Sequence, residues 1–209
     1  MPSALTLGAF ALASFALIVV PGPNLVYIVT RSITQGTRAG LASAAGVETG
    51  TFVYVLASVV GVSAMISESK VAFNAILYAG AAYLVYLAVQ TLRHPPGVQM
   101  DAGAVPAKPL ARIYLDATVV NLLNPKVALF FVAFLPQFLA PSDDAGAIPV
   151  QLIIFGALFF VIALALDIGY ALLGGTAGRW LRQRGGQITW MRWPVFAIYL
   201  GLAAFAVLG

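Results

Sequence analysis

Residues 5–30 read LTLGAFALASFALIVVPGPNLVYIVT, a stretch without a charged residue that Pro21-Gly22-Pro23 interrupts. A helix needs about 20 apolar residues to cross the hydrocarbon core of a bilayer, so the stretch is long enough. Proline inside a helix removes a backbone donor and clashes with the preceding turn. We therefore expect a first transmembrane helix that is broken at depth.

The rest of the chain has the same apolar character. Of 209 residues, 61% are hydrophobic and 9% are charged, whereas about 25% of the residues of a soluble domain are charged. We predict an all-α membrane protein that forms a single transmembrane domain over residues 1–209. The five further helices are expected in the apolar runs 41–66, 71–92, 113–139, 148–174 and 188–208.

The basic residues are distributed unevenly among the connections. Nine lie in the first, third and fifth connections, whereas Lys70 alone lies in the second or fourth. Because cytoplasmic loops retain Lys and Arg, both termini are expected to be extracytoplasmic. Nucleic-acid binding requires basic residues on one solvated face, so no nucleic-acid partner is expected.

Metal and thiol chemistry find no support in the composition. The chain has no cysteine, and its single histidine, His94, lies in a proline-rich loop. Soft metals prefer thiolate or imidazole ligands. We expect no metal site, no disulfide and no cofactor.

The chain divides into two halves of three helices. A cytoplasmic linker, residues 94–110, separates residues 1–93 from 111–209, and an odd number of helices makes the halves inverted repeats. The first helix of the second half is also interrupted, at Asn124-Pro125-Lys126. Paired interruptions indicate a binding site. The alternative is a pair of ordinary kinks, because membrane helices tolerate proline.

Each interruption can begin a new half-helix. Pro23 and Pro125 suit its first position, with Gly22 and Asn124 as caps. The partly positive amino ends of the two half-helices are expected to hold a substrate carboxylate together. Asn121 shares a helix face with Asn124; it either contacts substrate or is a buried amide that joins two helices.

Glu48, Lys126 and Asp167 are the ionisable residues deepest in the apolar runs. Each costs about 2.5–3.5 kcal/mol near a helix centre, so such residues usually face a cavity or a partner. On the expected topology the two acids lie at the same depth. A proton or a cationic substrate group can balance the second acid, and we predict Asp167 as the proton carrier, with Glu48 as the alternative. Otherwise one acid pairs with Lys126 and the other stays protonated.

Two local features have simpler explanations. Gly46 and Gly50 form a small-xxx-small step, which indicates close helix packing and permits a homodimer. Asp116 is expected to pair with Arg112 one turn earlier.

The sequence favours a secondary transporter. No Walker-type phosphate loop is present, so an ion gradient is the expected energy source. The alternatives are an exporter or pore for another small solute, and an intramembrane enzyme that uses Glu48 and Asp167 for acid-base chemistry. No nucleophile beside an evident base supports an enzyme.

Several segments carry a resemblance to a known family. They are PGPN at 21–24, the glycines at 36, 40, 46 and 50, YAGAAYL at 78–84, NLLNPK at 121–126 and LPQF at 135–138. From the first helix to the last, the chain resembles the lysine exporter (LysE/RhtB) family of amino-acid efflux proteins. The resemblance implies six helices and proton-driven export of amino acids or their derivatives, usually from a bacterial inner membrane.

The resemblance also implies functional positions in this sequence. Two positions depart from the family pattern. Many members have a histidine where this chain has Tyr54, and a glycine where it has Pro194. The implied positions are Pro21, Gly22, Pro23, Asn24, Asn124, Pro125, Lys126 and Asp167.

Overall fold

The computed structural model describes residues 2–68, 107–140 and 146–183, with isolated positions between 71 and 93 and at 197 and 200. Within these ranges the regular structure is helical, and no strand occurs. The predicted third and sixth helices and most of the 94–110 linker lie outside the described residues. The helices are α1 (Ala4–Val19), α2 (Pro23–Gln35), α3 (Thr37–Glu68), α4 (Leu110–Leu122), α5 (Pro125–Leu129) and α6 (Ala147–Gln183).

Two to four membrane spans are present in the described part of the chain. Helices α3 and α6 are each long and apolar enough to cross a bilayer. Two bent pairs also qualify when each is taken as one span: α1 with α2, bent by 55°, and α4 with Pro125–Phe138, bent by 49°. The all-helical architecture is confirmed for these residues, whereas the six-span inverted repeat stays a prediction.

Both predicted helix breaks are confirmed. Gly22 caps α2 and Asn124 caps α5, each followed by proline in the first turn. Proline fits this position because the missing N–H would have had no partner in the helix. The two sharp bends therefore follow from the Pro21-Gly22-Pro23 and Asn124-Pro125 sequences.

Helix α3 packs closely against α4, as the small-residue step predicts. A Cβ on Gly46 would overlap the carbonyl oxygen of Tyr114 and lie 2.9 Å from the Cβ of Ala117. A Cβ on Gly50 would lie 3.0–3.1 Å from the side chain of Asn121. The two glycines thus set the distance between these helices.

An aromatic cluster packs α1 against the segment after α5 and against α6. This segment continues α5 as a π-helical stretch, Phe130–Phe134, and a 3-10 turn, Leu135–Phe138. Ring centroids in the cluster approach to 4.8 Å. Its members are Phe10, Phe130, Phe131, Phe134, Phe138, Phe155 and Phe159.

A paired hydrogen bond ties the end of this segment to α6. The buried Gln151 amide accepts from the backbone N–H of Ala140 at 2.8 Å and donates to the carbonyl of Ala140 at 3.1 Å. One side chain therefore satisfies both backbone groups of Ala140 and joins the segment to the first turns of α6.

The α3–α4 contact can be tested with a single methyl group. Gly→Ala inside a helix ordinarily stabilises by about 0.5–1 kcal/mol. We expect Gly46→Ala instead to lower the thermal unfolding midpoint in detergent by several degrees, because overpacking costs about 1–3 kcal/mol. Gly61→Ala is the control on the same helix, since no atom of the described residues lies within 4 Å of its Cβ position. Equal midpoints for the two variants would contradict the close contact.

Candidate functional site

A small cavity lies where the α1–α2 break meets α3, α5 and α6. Its volume is about 30 Å³, which is room for about two water molecules. Its polar lining is Asn24, Glu48, Thr51, Lys126 and Asp167, and its apolar lining is Leu17, Ile18, Leu25, Val47, Val127, Phe159 and Ala163.

The two predicted acids meet in this cavity. Glu48 is 3% exposed and Asp167 is 4% exposed, and both line the cavity, where their carboxyl groups are close enough to repel each other when both are ionised. Two ionised carboxylates can accept a hydrogen bond but cannot donate one. The pair therefore requires a shared proton or a bound cation.

Glu48 has no other partner to relieve its burial. No hydrogen-bond donor in the described part of the chain reaches Oε1 or Oε2. Lys126 forms no ion pair with Glu48 or Asp167. The described residues thus show no direct contact between this lysine and either acid, and the protonation state of the two acids stays a prediction.

Lys126 binds the broken end of α1 instead. Its Nζ donates to the carbonyl oxygens of Leu17 at 3.0 Å and Val20 at 2.9 Å. The last carbonyls of a helix have no partner within it and carry partial negative charge. A lysine from the second break thus caps the helix that ends at the first.

Gly22 leaves the space that this lysine occupies. Its backbone is extended, with φ −149°, which any residue can adopt. A Cβ there would lie 3.1 Å from Nζ and 3.4 Å from Cε of Lys126. The sequence predicted Gly22 as a helix cap, and the structure adds this steric role.

Three asparagine amides join the two breaks. Asn124 donates from Nδ2 to Oδ1 of Asn24 at 3.0 Å, and Asn24 donates from Nδ2 to Oδ1 of Asn121 at 3.3 Å. The Nδ2 of Asn121 then donates to α3, to Thr51 Oγ1 at 2.9 Å and to the carbonyl of Val47. Asn121 is therefore a buried amide that joins helices, and its contact with substrate stays a prediction.

Tyr54 caps the second broken helix. Its hydroxyl donates to the carbonyl of Leu122 at 2.7 Å, and its ring stacks on Phe131 with centroids 5.7 Å apart. Sequence reasoning noted Tyr54 only as a departure from the family pattern. It missed Thr51 altogether, although Thr51 lies three residues after Glu48 and so shares its helix face.

The predicted site residues divide into two groups. Asn24, Glu48, Lys126 and Asp167 line the cavity, whereas the others form the breaks and the amide network around it. The second group consists of Pro21, Gly22, Pro23, Asn121, Asn124 and Pro125.

Asp116 lies apart from this site. It pairs with Arg112 at 2.9 Å, as predicted, and also with Lys108 at 2.6 Å. In the part of the chain that the structure describes, no group of three or more His, Cys, Asp or Glu residues could hold a metal ion.

The family model of the LysE type translocators matches residues 15–208 of this chain. The chain belongs to the LysE type translocator family. No solved structure matches the chain.

Several curated proteins are similar in sequence to this LysE type translocator. A homoserine/homoserine lactone efflux protein of Salmonella typhimurium is 34% identical over 180 residues, which are 83% of this chain and 82% of the relative. A leucine efflux protein of Klebsiella pneumoniae is 35% identical over 158 residues, 73% of this chain and 68% of the relative. A membrane protein of Vibrio cholerae is 29% identical over 175 residues, 84% and 83% of the two chains.

The amide network makes a prediction for the stability of the translocator. Asn121→Ala removes the shared amide and leaves the Asn24 donor and the Val47 carbonyl without this partner. Loss of a buried hydrogen-bond partner costs about 1–3 kcal/mol, so we expect a clearly lower unfolding midpoint in detergent. Ser58→Ala is the control, because the one hydrogen bond of buried Ser58 within the described residues is to the Tyr54 carbonyl of its own helix. A smaller loss for Asn121→Ala than for Ser58→Ala would refute the joining role.

Proposed function

We propose that this protein exports amino acids or their derivatives across the bacterial inner membrane by proton-coupled antiport, and that the substrate head group binds in the cavity between Glu48, Asp167 and the α1–α2 break. The observation that carries the proposal is the carboxyl pair, in which both oxygens of buried Glu48 lack a donor. The names of the relatives, which specify homoserine and leucine efflux, support the substrate class.

The carboxyl pair suits a substrate ammonium group. A buried pair of acids needs one positive charge or a proton between its carboxyl groups. An α-ammonium group supplies the charge and up to three hydrogen-bond donors. Proton and ammonium then occupy the same place in turn, and such exclusive occupancy produces antiport.

The amino end of α2 suits the substrate carboxylate. Its cap, Gly22, has no side chain that could accept from the first N–H groups of the helix. The first residues after Pro23 in α2, Asn24 and Leu25, line the cavity. Helix amino ends attract anions through these free N–H groups and the helix dipole. A zwitterion can thus place its two charges at opposite walls of one cavity.

Substrate entry requires the cavity to widen. Room for about two water molecules is too little for an amino acid. Phe159 of the aromatic cluster forms part of the wall, and the cluster packs on the π-helical and 3-10 segment. Such irregular helical segments often act as hinges. Movement of this segment would open the cavity to one side, as alternating access requires.

Reconstituted liposomes test the function directly. Vesicles that contain the purified protein are loaded with single labelled amino acids, including homoserine and leucine, and an inward proton gradient is imposed. We expect efflux of at least one substrate that is faster than in empty vesicles and that collapses with a protonophore. Absence of gradient-driven efflux across the whole panel, from well-folded protein, would refute the proposal.

Asp167→Asn separates proton coupling from substrate binding. The amide keeps size and hydrogen bonding but cannot titrate, so we expect loss of pH-driven export while exchange of substrate for substrate continues. Asp116→Asn is the matched control, because Asp116 is an acid outside the cavity, and it should retain both activities.

Other outcomes assign different roles. Equal loss of both activities in Asp167→Asn would indicate a binding or folding role for this acid. Unchanged pH-driven export would remove Asp167 from the coupling mechanism, and Glu48→Gln would then be measured in the same two assays.

A further inference from the structure

The ammonium group of Lys126 occupies an unfavourable position for a cation. Lys126 is the second residue of α5, and the amino end of a helix carries partial positive charge. The residue is 8% exposed, yet it forms no ion pair with either acid of the cavity. Its charge must therefore be stabilised by other groups.

Those groups are the carbonyls at the end of α1. Two Nζ–O distances of 3.0 and 2.9 Å join Lys126 to Leu17 and Val20, and these are ordinary N–H···O hydrogen-bond lengths. In transporters with broken helices, carbonyls of the unwound backbone and of half-helix carboxyl ends coordinate the coupling Na⁺. The absence of a Cβ on Gly22 provides the space for a cation beside them.

We propose that the carbonyl end of α1 is a monovalent-cation site and that the chain fills it with its own Lys126 ammonium group. A tethered cation at this site excludes Na⁺ from it, so export has no Na⁺ requirement there. The conclusion that export does not need Na⁺ at this site rests on the function proposed above. The cation site itself rests on the contacts of Lys126 alone.

Removal of the tethered cation should open the site to a free one. Lys126 and Asp167 line the same cavity and attract each other electrostatically. Lys126→Ala takes away the charge and most of the side chain, which leaves two carbonyl oxygens with a carboxyl group nearby. Such an oxygen-lined space beside a broken helix suits Na⁺.

The test measures cation binding by purified protein in detergent. Thermal unfolding is compared in NaCl and in choline chloride at equal ionic strength. We expect the same midpoint in both salts for the wild type. For Lys126→Ala we expect NaCl to raise the midpoint by about 3–5 °C once Na⁺ is tenfold above its dissociation constant. Lys126→Met is the matched control, because it keeps the bulk of the side chain without its charge and should not respond to Na⁺.

Three outcomes would overturn the proposal. A Na⁺-specific rise in the wild type would mean that Lys126 does not exclude Na⁺. No response of Lys126→Ala to Na⁺, K⁺ or methylammonium would mean that the carbonyl end binds no cation. An equal response of Lys126→Met would place the bound Na⁺ elsewhere.

Two additions keep the test decisive. If Lys126→Ala does not fold, Lys126→Ser carries the same comparison, because its short side chain leaves the same space free and adds a polar hydroxyl group to it. Equilibrium binding of radioactive Na⁺ to the same variants provides a second readout. Neither measurement involves export, so failure of the liposome experiment would refute the transport proposal and leave this one standing, and the reverse also holds.

Discussion

Backbone groups that are freed inside a membrane must find partners within the protein, because lipid offers none and each unsatisfied group costs several kcal/mol. Two helices of this chain end in the interior, at Val19 and Leu122, and each exposes carbonyls there. Lys126 satisfies the first end and Tyr54 the second. The polar interior of the protein is arranged around this requirement.

The same requirement explains why the two breaks lie together. Lys126 reaches α1 only because α5 begins beside the α1–α2 break, and the Asn24–Asn124 hydrogen bond holds the two segments in that relation. Asn124 also accepts from the backbone N–H of Lys126 at 3.1 Å. Lys126 donates to α1, and among the described residues no cationic side chain lies within ion-pair distance of the nearby carboxyl pair.

Much of this organisation could be predicted from single residues with strong local rules. Proline fixes where α2 and α5 begin, and glycines fix where α3 approaches α4. Counting residues along α3 and α6 placed Glu48 and Asp167 at the same depth, because depth in a membrane follows from helix rise, but it did not predict that both line one cavity. These features depend on sequence position more than on the details of packing.

The side-chain partners could not be predicted in the same way. Lys126 donates to backbone carbonyls that are more than 100 residues away in sequence, a partner that no local rule indicates. The partners of Tyr54 and Thr51 could not be identified from the sequence of their own apolar helix, because those partners lie on other helices. Sequence gives the position of a residue along its own helix, whereas these contacts depend on the rotation of one helix relative to another.

The paired hydrogen bond between Gln151 and Ala140 has a mechanical consequence. It fastens the aromatic segment after α5 to the start of α6, and the same long helix carries Asp167. A rigid helix that is held at one end transmits displacement along its length as a lever does. Rearrangement of the aromatic cluster would then displace Asp167 in the same movement.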